Sequence, residues 1–427
     1  LGTLKIYLDS VGCRLNQSEI ERYAQQFRLA GHELVGSADL ADLVVVNTCD
    51  VTAAAASDSR QKIRQIWRAS AARIILTGCW STLHPESARA LPGVTNVVPN
   101  IEKDWLVSQV LQISPEAFDQ EFLEREPIPG NRLRTRAFIK VQDGCDNRCT
   151  YCVTTLARGS SRSRQIPEVI GEIQAALRGG AQEVVLTGVH LGSWGEDFTQ
   201  NACLADLVKA VLEHTKLPRL RLSSLEPWDI NESFFGLWEN PRLCRHLHLP
   251  LQSGSAATLR RMARKVTPDS YARLLETART AVPEVAITTD VIVGFPGEND
   301  DEFNESMQFI EKMHFAGGHV FTYSARPGTA AASMPDQVPH TIRKERNARM
   351  RWLLEQAAHT YAGSFLGKEL MVLWESVVHH ELNLWVMSGL SDNYLRINAK
   401  TPRDMWNQVS SVQLTDFGDG YLQGVIL

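Results

Sequence analysis

The chain has 427 residues, 44% of them hydrophobic and 22% charged, with a net charge of -5. Those values describe a water-facing globular protein with room for several cores, about three domains at roughly 150 residues each. The longest run without Asp, Glu, Lys or Arg is 14 residues, His246 to Leu259. A spanning helix needs about 20 apolar residues, so a helical membrane protein is excluded.

In chain order, residues 1–115 alternate strand and helix signals. Leu4 to Leu8, Leu43 to Val46 and Arg73 to Leu76 are short, apolar strand candidates. Near-continuous apolar runs of this kind suit a sheet buried on both faces. Gln17 to Leu29 and Ser57 to Ala69 read as the intervening helices, so we expect a doubly wound α/β domain. Residues 116–131 carry Asp119, Glu121, Glu124 and Glu126 against Arg125, with Pro127, Pro129 and Gly130. This stretch reads as a linker.

Residues 132–365 repeat the alternation six times. The strand candidates are Ala137 to Val141, Glu183 to Leu186, Arg219 to Leu222, His246 to Leu249, Val285 to Thr288 and His319 to Thr322. Pro167 to Leu177 and Tyr271 to Ala281 are among the helices between them. Six β/α units predict a partial (β/α)6 barrel with its chemistry at the strand C-terminal ends. Residues 366–427 offer short strands at Met371 to Trp374, Leu382 to Val386, Tyr394 to Ile397 and Ser411 to Leu414. Their spacing predicts a small all-β barrel.

Eight cysteines in a chain of this length do not form a disulfide framework. The N-terminus lacks the basic and apolar regions of a secretory signal. We therefore expect a reducing, cytoplasmic location, in which cysteine serves metal or redox chemistry. Cys145, Cys149 and Cys152 make a C-x3-C-x2-C pattern directly after a strand. Structural zinc takes four ligands, usually in paired C-x2-C units. Three soft thiolates with no nearby fourth ligand suit a 4Fe-4S cluster with one open iron. A zinc knuckle with a distant fourth ligand is the alternative. Cys13, Cys49 and Cys79 each follow a strand candidate. In an open parallel sheet such loops converge on one crevice, so these three can meet in space. Three separate buried thiols are the other reading. Cys203 and Cys244 lack such context and read as core residues.

The C-x3-C-x2-C loop resembles that of radical S-adenosylmethionine enzymes. Further motifs look like the methylthiotransferases among them: Gly12-Cys13-Arg14-Leu15-Asn16-Gln17-Ser18-Glu19, Asn47-Thr48-Cys49-Asp50, Thr77-Gly78-Cys79, His248-Leu249-Pro250-Leu251-Gln252-Ser253-Gly254, Thr289 to Glu298 and Tyr323 to Thr329. The tail around Ser391-Asp392-Asn393-Tyr394 is similar to the TRAM domain, a small RNA-binding β-barrel. The resemblance implies two 4Fe-4S clusters, one per cysteine set, and S-adenosylmethionine as cofactor. The open iron of the Cys145 set would hold the cofactor's methionine groups, and cleavage would give a 5′-deoxyadenosyl radical. The other cluster would carry a methylated sulfur. It further implies that Tyr151, Gly188, Gln252 and Asp290 contact the cofactor or target base.

Within the family, Cys13-Arg14-Leu15-Asn16-Gln17, Asp58-Ser59-Arg60-Gln61 and Gly188-Val189-His190-Leu191-Gly192 look most like the branch acting on N6-threonylcarbamoyladenosine in tRNA. That implies the anticodon loop as RNA partner and a flavodoxin or ferredoxin as electron donor. Isopentenyladenosine tRNA and a ribosomal-protein aspartate are alternative substrates, and a non-catalytic metal-binding RNA adaptor is the alternative of another class. Val153-Thr154-Thr155-Leu156 and Trp80-Ser81 depart from the common pattern.

Residues 132–164 hold Arg132, Arg134, Arg136, Lys140, Arg148, Arg158, Arg162 and Arg164 against Asp143 and Asp146, a net +6. Such a cluster beside a reactive loop predicts phosphate contacts, with Arg158, Arg162 and Arg164 the candidates. Arg343, Lys344, Arg346, Arg349 and Arg351 form a second run. Trp385 and Tyr394 are candidates for stacking on bases. The tail from Leu366 has 4 basic and 7 acidic residues, so charge alone does not give it an RNA role.

Overall fold

A computed structural model describes residues 2–118, 124–129, 135–381, 384–418 and 421–427. Arg132 and Arg134 of the basic cluster lie outside them. The chain forms two compact units. The first comprises Leu1–Asn147, Cys152–Gly180 and Thr187–Val189, and the second comprises Arg148–Tyr151, Ala181–Leu186 and His190–Leu427.

The first unit opens with a parallel sheet of β1 (Lys5–Ser10), β2 (Glu33–Leu34), β3 (Leu43–Thr48), β4 (Arg73–Gly78) and β5 (Val94–Val97). The strand order is β2-β1-β3-β4-β5. Every residue of β3 is buried, as its Leu-Val-Val-Val-Asn-Thr sequence demands of a central strand covered on both faces. Helix α1 (Arg14–Leu29) lays Ile20, Tyr23, Ala24 and Phe27 on Ile6, Leu8 and Leu43. Helix α2 (Ala53–Ala69) starts at a Thr52 cap and packs Ile63 and Ile66 on the opposite face. The short helices α3 (Cys79–Leu83) and α4 (Pro85–Arg89) join this layer, and α5 (Leu106–Leu111) packs on the α1 face. The strand order reverses between β1 and β3. In open α/β sheets ligands bind beyond the strand C-terminal ends at that reversal.

The same unit contains β6 (Arg136–Lys140), the β7–β8 ribbon (Gln142–Asp143 with Arg162–Ser163), α6 (Thr154–Arg158) and α7 (Ile166–Arg178). Lys140 N–H donates to Ser18 Oγ at 3.1 Å, fixing the end of β6 on α1.

The second unit carries two parallel runs of strands. β9 (Glu183–Thr187) pairs in parallel with β10 (Arg219–Leu222), and β11 (His246–His248), β12 (Ala286–Val293) and β13 (Gly317–Thr322) form a second parallel run. A bridge between Ser224 and His248 joins the two runs. Helices α8 (Leu204–His214), α9 (Ala256–Arg261), α10 (Pro268–Ala281), α11 (Asp300–Lys312) and α12 (His340–Gly363) accompany them. Strands and helices thus alternate along this stretch, as expected from the sequence.

The chain ends in a closed barrel of β14 (Glu369–Glu381), β15 (Leu384–Ser391), β16 (Arg396–Thr401), β17 (Val409–Gly418) and β18 (Tyr421–Ile426). Its core holds Val372, Trp374, Met387, Ile397, Val412 and Leu414. Closure removes the open edges that strands of this length would otherwise expose. β18 was not among the expected strands, although Tyr421-Leu422-Gln423 alternates correctly. Leu382 and Asn383 of the second expected strand lie outside the described residues.

Candidate functional site

Cys13 follows β1, Cys49 follows β3 and Cys79 opens α3 directly after β4. All three lie past the C-terminal ends of the neighbouring parallel strands β1, β3 and β4. Gly12 adopts φ +107, and a Cβ there would fall 2.6 Å from Cys49 Cβ and Sγ. Gly78 at φ +95 would place one 2.2 Å from the Thr48 carbonyl. Only glycine lets these loops close on one another. Ser59 Oγ receives the Cys49 N–H at 3.0 Å, pinning that loop to α2. Burial pushes the Cys49 thiol up to about 11, and the neighbouring Cys13 and Cys79 charges add to the rise. Cys49 thus senses both other sulfurs of the first set.

Amide groups reach these sulfurs. Asn100 Nδ2 donates to Cys79 Sγ at 3.6 Å, and Asn16 Oδ1 lies 3.6 Å from Cys13 Sγ. Asn16 Nδ2 also donates to Val11 and Thr48 carbonyls, holding the first two loops together. Asn16 stood inside an expected motif. Asn100 carried no sequence signal, because it lies 21 residues past Cys79 and only folding brings it back.

In the second set, the Asn147 N–H donates to Cys145 Sγ and the Thr154 N–H to Cys152 Sγ, each at 3.4 Å. Both cysteines belong to the first unit, and Cys149 and Tyr151 to the second. There, Thr150 is clamped by its N–H to Met262 O (3.1 Å) and its hydroxyl to Arg261 O (2.8 Å). Arg264 donates to Cys149 Sγ at 3.8 Å while Glu226 holds it with two contacts, 3.1 and 2.6 Å. Its guanidinium covers the Trp228 ring at 4.5 Å. Burial alone would lower the Arg264 pKa, but Tyr151, Glu226 and Cys149 hold it above its usual range.

The donors fit iron–sulfur clusters. Each set consists of soft thiol ligands, and at least two sulfurs of each have a polar partner. Among the described residues, no three His, Cys, Asp or Glu groups close around a single ion.

Tyr151 stands edge-on to Phe295 at 6.2 Å, in a cluster with Met262, Tyr323 and Ala331. Gln252 takes a left-handed φ of 76 and bridges β12 through its backbone, accepting from Ile292 and donating to Asp290 O, each at 2.8 Å. Asp290 Oδ2 lies 3.3 Å from His248 Nε2, while its buried Oδ1 meets no hydrogen-bond donor of the protein. Thr288 Oγ1 joins His248 Nδ1 (2.9 Å) to His246 Nε2 (3.0 Å), so a polar string runs along β11 and β12. Gly188 follows Thr187, whose carbonyl accepts from Val141 within the first unit. His190 Nε2 lies 2.6 Å from Asp229 Oδ2.

Several expected RNA contacts are corrected. Arg158 is 3% exposed and directed at Glu19, Asp143 and Asn16. Arg164 is spent on Glu172, Glu168 and the Lys140 carbonyl. Among the described residues of this window, Lys140, Arg158 and Arg164 meet the carboxylates of Asp104, Glu19, Glu168 and Glu172, which a local count does not see. In the second run, Arg346 is buried against Glu298 and Asp300.

Tyr394 is corrected as well. Its ring stacks on His246 at 4.1 Å and 7°, with Arg221 over it at 5.2 Å. Arg219 donates to the Leu390 carbonyl and Arg221 to those of Ser391 and Asp392. Arg245 grips the Asp392 carboxylate at 2.6 and 3.1 Å. The Ser391–Tyr394 turn therefore latches the small barrel onto the starts of β10 and β11. Trp385 is half-buried beside His380, and Arg162 keeps a side chain 35% exposed. Cys244 is buried as expected, but Cys203 is exposed at the start of α8, where it caps the helix with Asp206.

Comparison with known proteins agrees with this geometry. Residues 139–310 match the radical SAM superfamily, and residues 5–99 match a family described as uncharacterized protein family UPF0004. The chain is 36% identical to the threonylcarbamoyladenosine tRNA methylthiotransferase MtaB of Bacillus subtilis, over 97% of this chain and 94% of that protein. It is also 36% identical to the protein of that name from Thermotoga maritima, over 92% and 90%. A tRNA-2-methylthio-N(6)-dimethylallyladenosine synthase of Acidothermus cellulolyticus is 36% identical over 85% and 76%. In fold, the chain is similar to the radical S-adenosylmethionine methyltransferase TsrM of Kitasatospora setae, with a TM-score of 0.60 at 15% identity over 77% of this chain and 75% of that one. With near full-length kinship to these enzymes and a cysteine set in each matched region, the chain belongs to the radical S-adenosylmethionine methylthiotransferase family.

Proposed function

We propose that this enzyme converts N6-threonylcarbamoyladenosine, next to the anticodon of tRNA, to its 2-methylthio derivative. The observation that carries the reading is the pair of cysteine sets in one chain, one contiguous and one gathered from three strand ends. Cys145, Cys149 and Cys152 would hold the 4Fe-4S cluster that receives S-adenosylmethionine, and Cys13, Cys49 and Cys79 the second. When bound, these groups supply one-electron chemistry and a methylated sulfur, which an unactivated adenine C–H bond requires because acid–base groups alone do not break it.

The chain's own residues hold and shield that chemistry. Arg264, braced by Glu226, donates to Cys149 and stabilises negative charge on its sulfur. Tyr151 presents an aromatic edge for an adenine ring. Asp290 offers its unmatched oxygen to a hydroxyl or amine of the cofactor or the base. Gly188 and Gln252 complete this assignment. Arg162 and Trp385 are the remaining RNA contacts proposed, and the anticodon loop needs no duplex opening. Residues 1–115 form the sulfur-bearing domain, 116–131 a linker, 132–365 the radical barrel and 366–427 the RNA-binding barrel. A flavodoxin or ferredoxin supplies electrons in the cytoplasm. Among the described residues, no helix is long and apolar enough to cross a membrane.

A second reading, the dimethylallyladenosine branch, is favoured by the Acidothermus relative at equal identity, though over a shorter share of both chains. The test is complementation of strains lacking each activity, followed by mass spectrometry of tRNA nucleosides. Restoration of methylthio-threonylcarbamoyladenosine alone supports the first reading, and restoration of the dimethylallyl product alone overturns it.

A further inference from the structure

We infer that Arg158 is a positioning residue that balances charge at the Cys13–Cys49–Cys79 site and ties it to the segment that follows Cys152. The inference rests on the reading of that site as a cluster holder. Arg158 ends α6, which begins two residues after Cys152. Its Nη2 donates to Asn16 Oδ1 at 2.9 Å, and that oxygen lies 3.6 Å from Cys13 Sγ. The preceding residue, Ala157, accepts from Asn100 Nδ2 at 2.9 Å, and the same amide reaches Cys79 Sγ. One helical turn therefore touches two of the three sulfurs, each through a single asparagine.

Cations outnumber the carboxylates around it. Arg158 Nη1 lies 2.9 Å from Asp143 and 3.2 Å from Glu19. Lys103, wholly buried, lies 2.5 Å from Glu19 and 2.8 Å from Asp143. Lys140 meets Asp104 at 2.8 Å and Asp143 at 3.4 Å. Arg22 also meets Asp104 at 3.5 Å and Arg162 meets Asp143 at 3.9 Å, so five cations face three carboxylates before any thiolate is counted. Ligation deprotonates Cys13, Cys49 and Cys79, and at the buried Cys49 and Cys79 the added negative charge develops where water screens it poorly. Burial alone would lower the Arg158 pKa, but Asp143, Cys79, Glu19 and Cys13 together hold it well above its usual range. A fixed guanidinium there favours the more reduced, more negative state of a bound cluster and raises its potential.

The experiment uses the full chain with Cys145→Ala, Cys149→Ala and Cys152→Ala, reconstituted anaerobically with iron and sulfide, so that only the first site takes metal. Iron content and the midpoint potential are measured with Arg158, Arg158→Gln and Arg158→Lys. In Arg158→Gln, the reduced-to-oxidised ratio at fixed poise should fall about tenfold, roughly 59 mV for a one-electron couple. Arg158→Lys keeps the charge but loses the fork to Asn16, so it should move the potential by less than half as much. Iron lost in Arg158→Gln but kept in Arg158→Lys, at nearly unchanged potential, also supports the inference. An unmoved potential in an iron-loaded Arg158→Gln protein overturns it, and so does equal loss of iron in both variants, which marks a structural role. No iron in the parent triple variant refutes the two-cluster reading itself, a result distinct from either.

Discussion

The two cysteine sets reach their places by opposite routes. Cys145, Cys149 and Cys152 lie within eight residues of chain, and backbone amides of the same loop reach two of their sulfurs. Cys13, Cys49 and Cys79 are 36 and 30 residues apart and depend on the whole β1-β3-β4 register, on two glycines and on two asparagines. A contiguous loop can keep its ligands through local distortion. A dispersed site fails whenever any one of its supporting elements shifts.

The largest expected effect separates the sets. Cys149→Ala should bring reductive cleavage of S-adenosylmethionine to background. Cys49→Ala should retain cleavage but yield no methylthiolated nucleoside. Deoxyadenosine and nucleoside products, read by liquid chromatography with mass spectrometry, decide both. Full methylthiolation by Cys49→Ala would abolish the distinction.

Next in size is Gly12→Val. Its Cβ would invade Cys49, and a β-branched residue does not take φ +107 without strain. We expect a loss of about 1–3 kcal/mol of stability and of iron at the first site, with the Cys145 set still loaded. Calorimetry and iron analysis on the two single-site backgrounds test this, and equal iron loss at both sites contradicts it.

Arg264→Met should lower cofactor cleavage on the order of 10- to 100-fold, the usual cost of losing a group that orients a ligand. First-site iron should be unchanged. A variant with undiminished cleavage would remove Arg264 from the assignment.

The smallest effect concerns acid. Burial pushes the Glu19 and Asp143 carboxyls up, but Lys103, Arg158 and Lys140 outweigh it and hold both below their usual range. Their folded pKa values are thus lower than their unfolded ones. The stability they add is complete above about pH 4.5 and is lost as pH falls through the folded values. Thermal melts of the apo chain from pH 6 to pH 3 should steepen below about pH 4.5, and Glu19→Gln should flatten that slope. An identical pH profile in the variant would show that the network adds nothing to stability.

Each of the six barrel strands had its candidate in the sequence, some as apolar runs and others, such as Arg219 to Leu222, as alternation, and so did β1, β3 and β4. The two-residue β2 and the half-exposed β5 carry too little hydrophobic pattern to announce themselves. Arg158 and Tyr394 show the limit of reading residue type. Arginine beside a reactive loop and tyrosine in an RNA-like barrel both suggested nucleic acid. Their partners, Glu19 and His246, are 139 and 148 positions away, and no local window contains them.

The sequence by itself determined the ligand chemistry, the order of β/α, barrel and all-β segments, and the family, because thiol spacing and hydrophobic period are local properties. Tertiary structure decided which charges are free and which are spent, which glycines admit a neighbouring sulfur, and which asparagines serve each cysteine. Those depend on distance through space, and a buried charge finds its partner wherever the fold delivers one, since leaving it unpaired costs more than any local preference can repay.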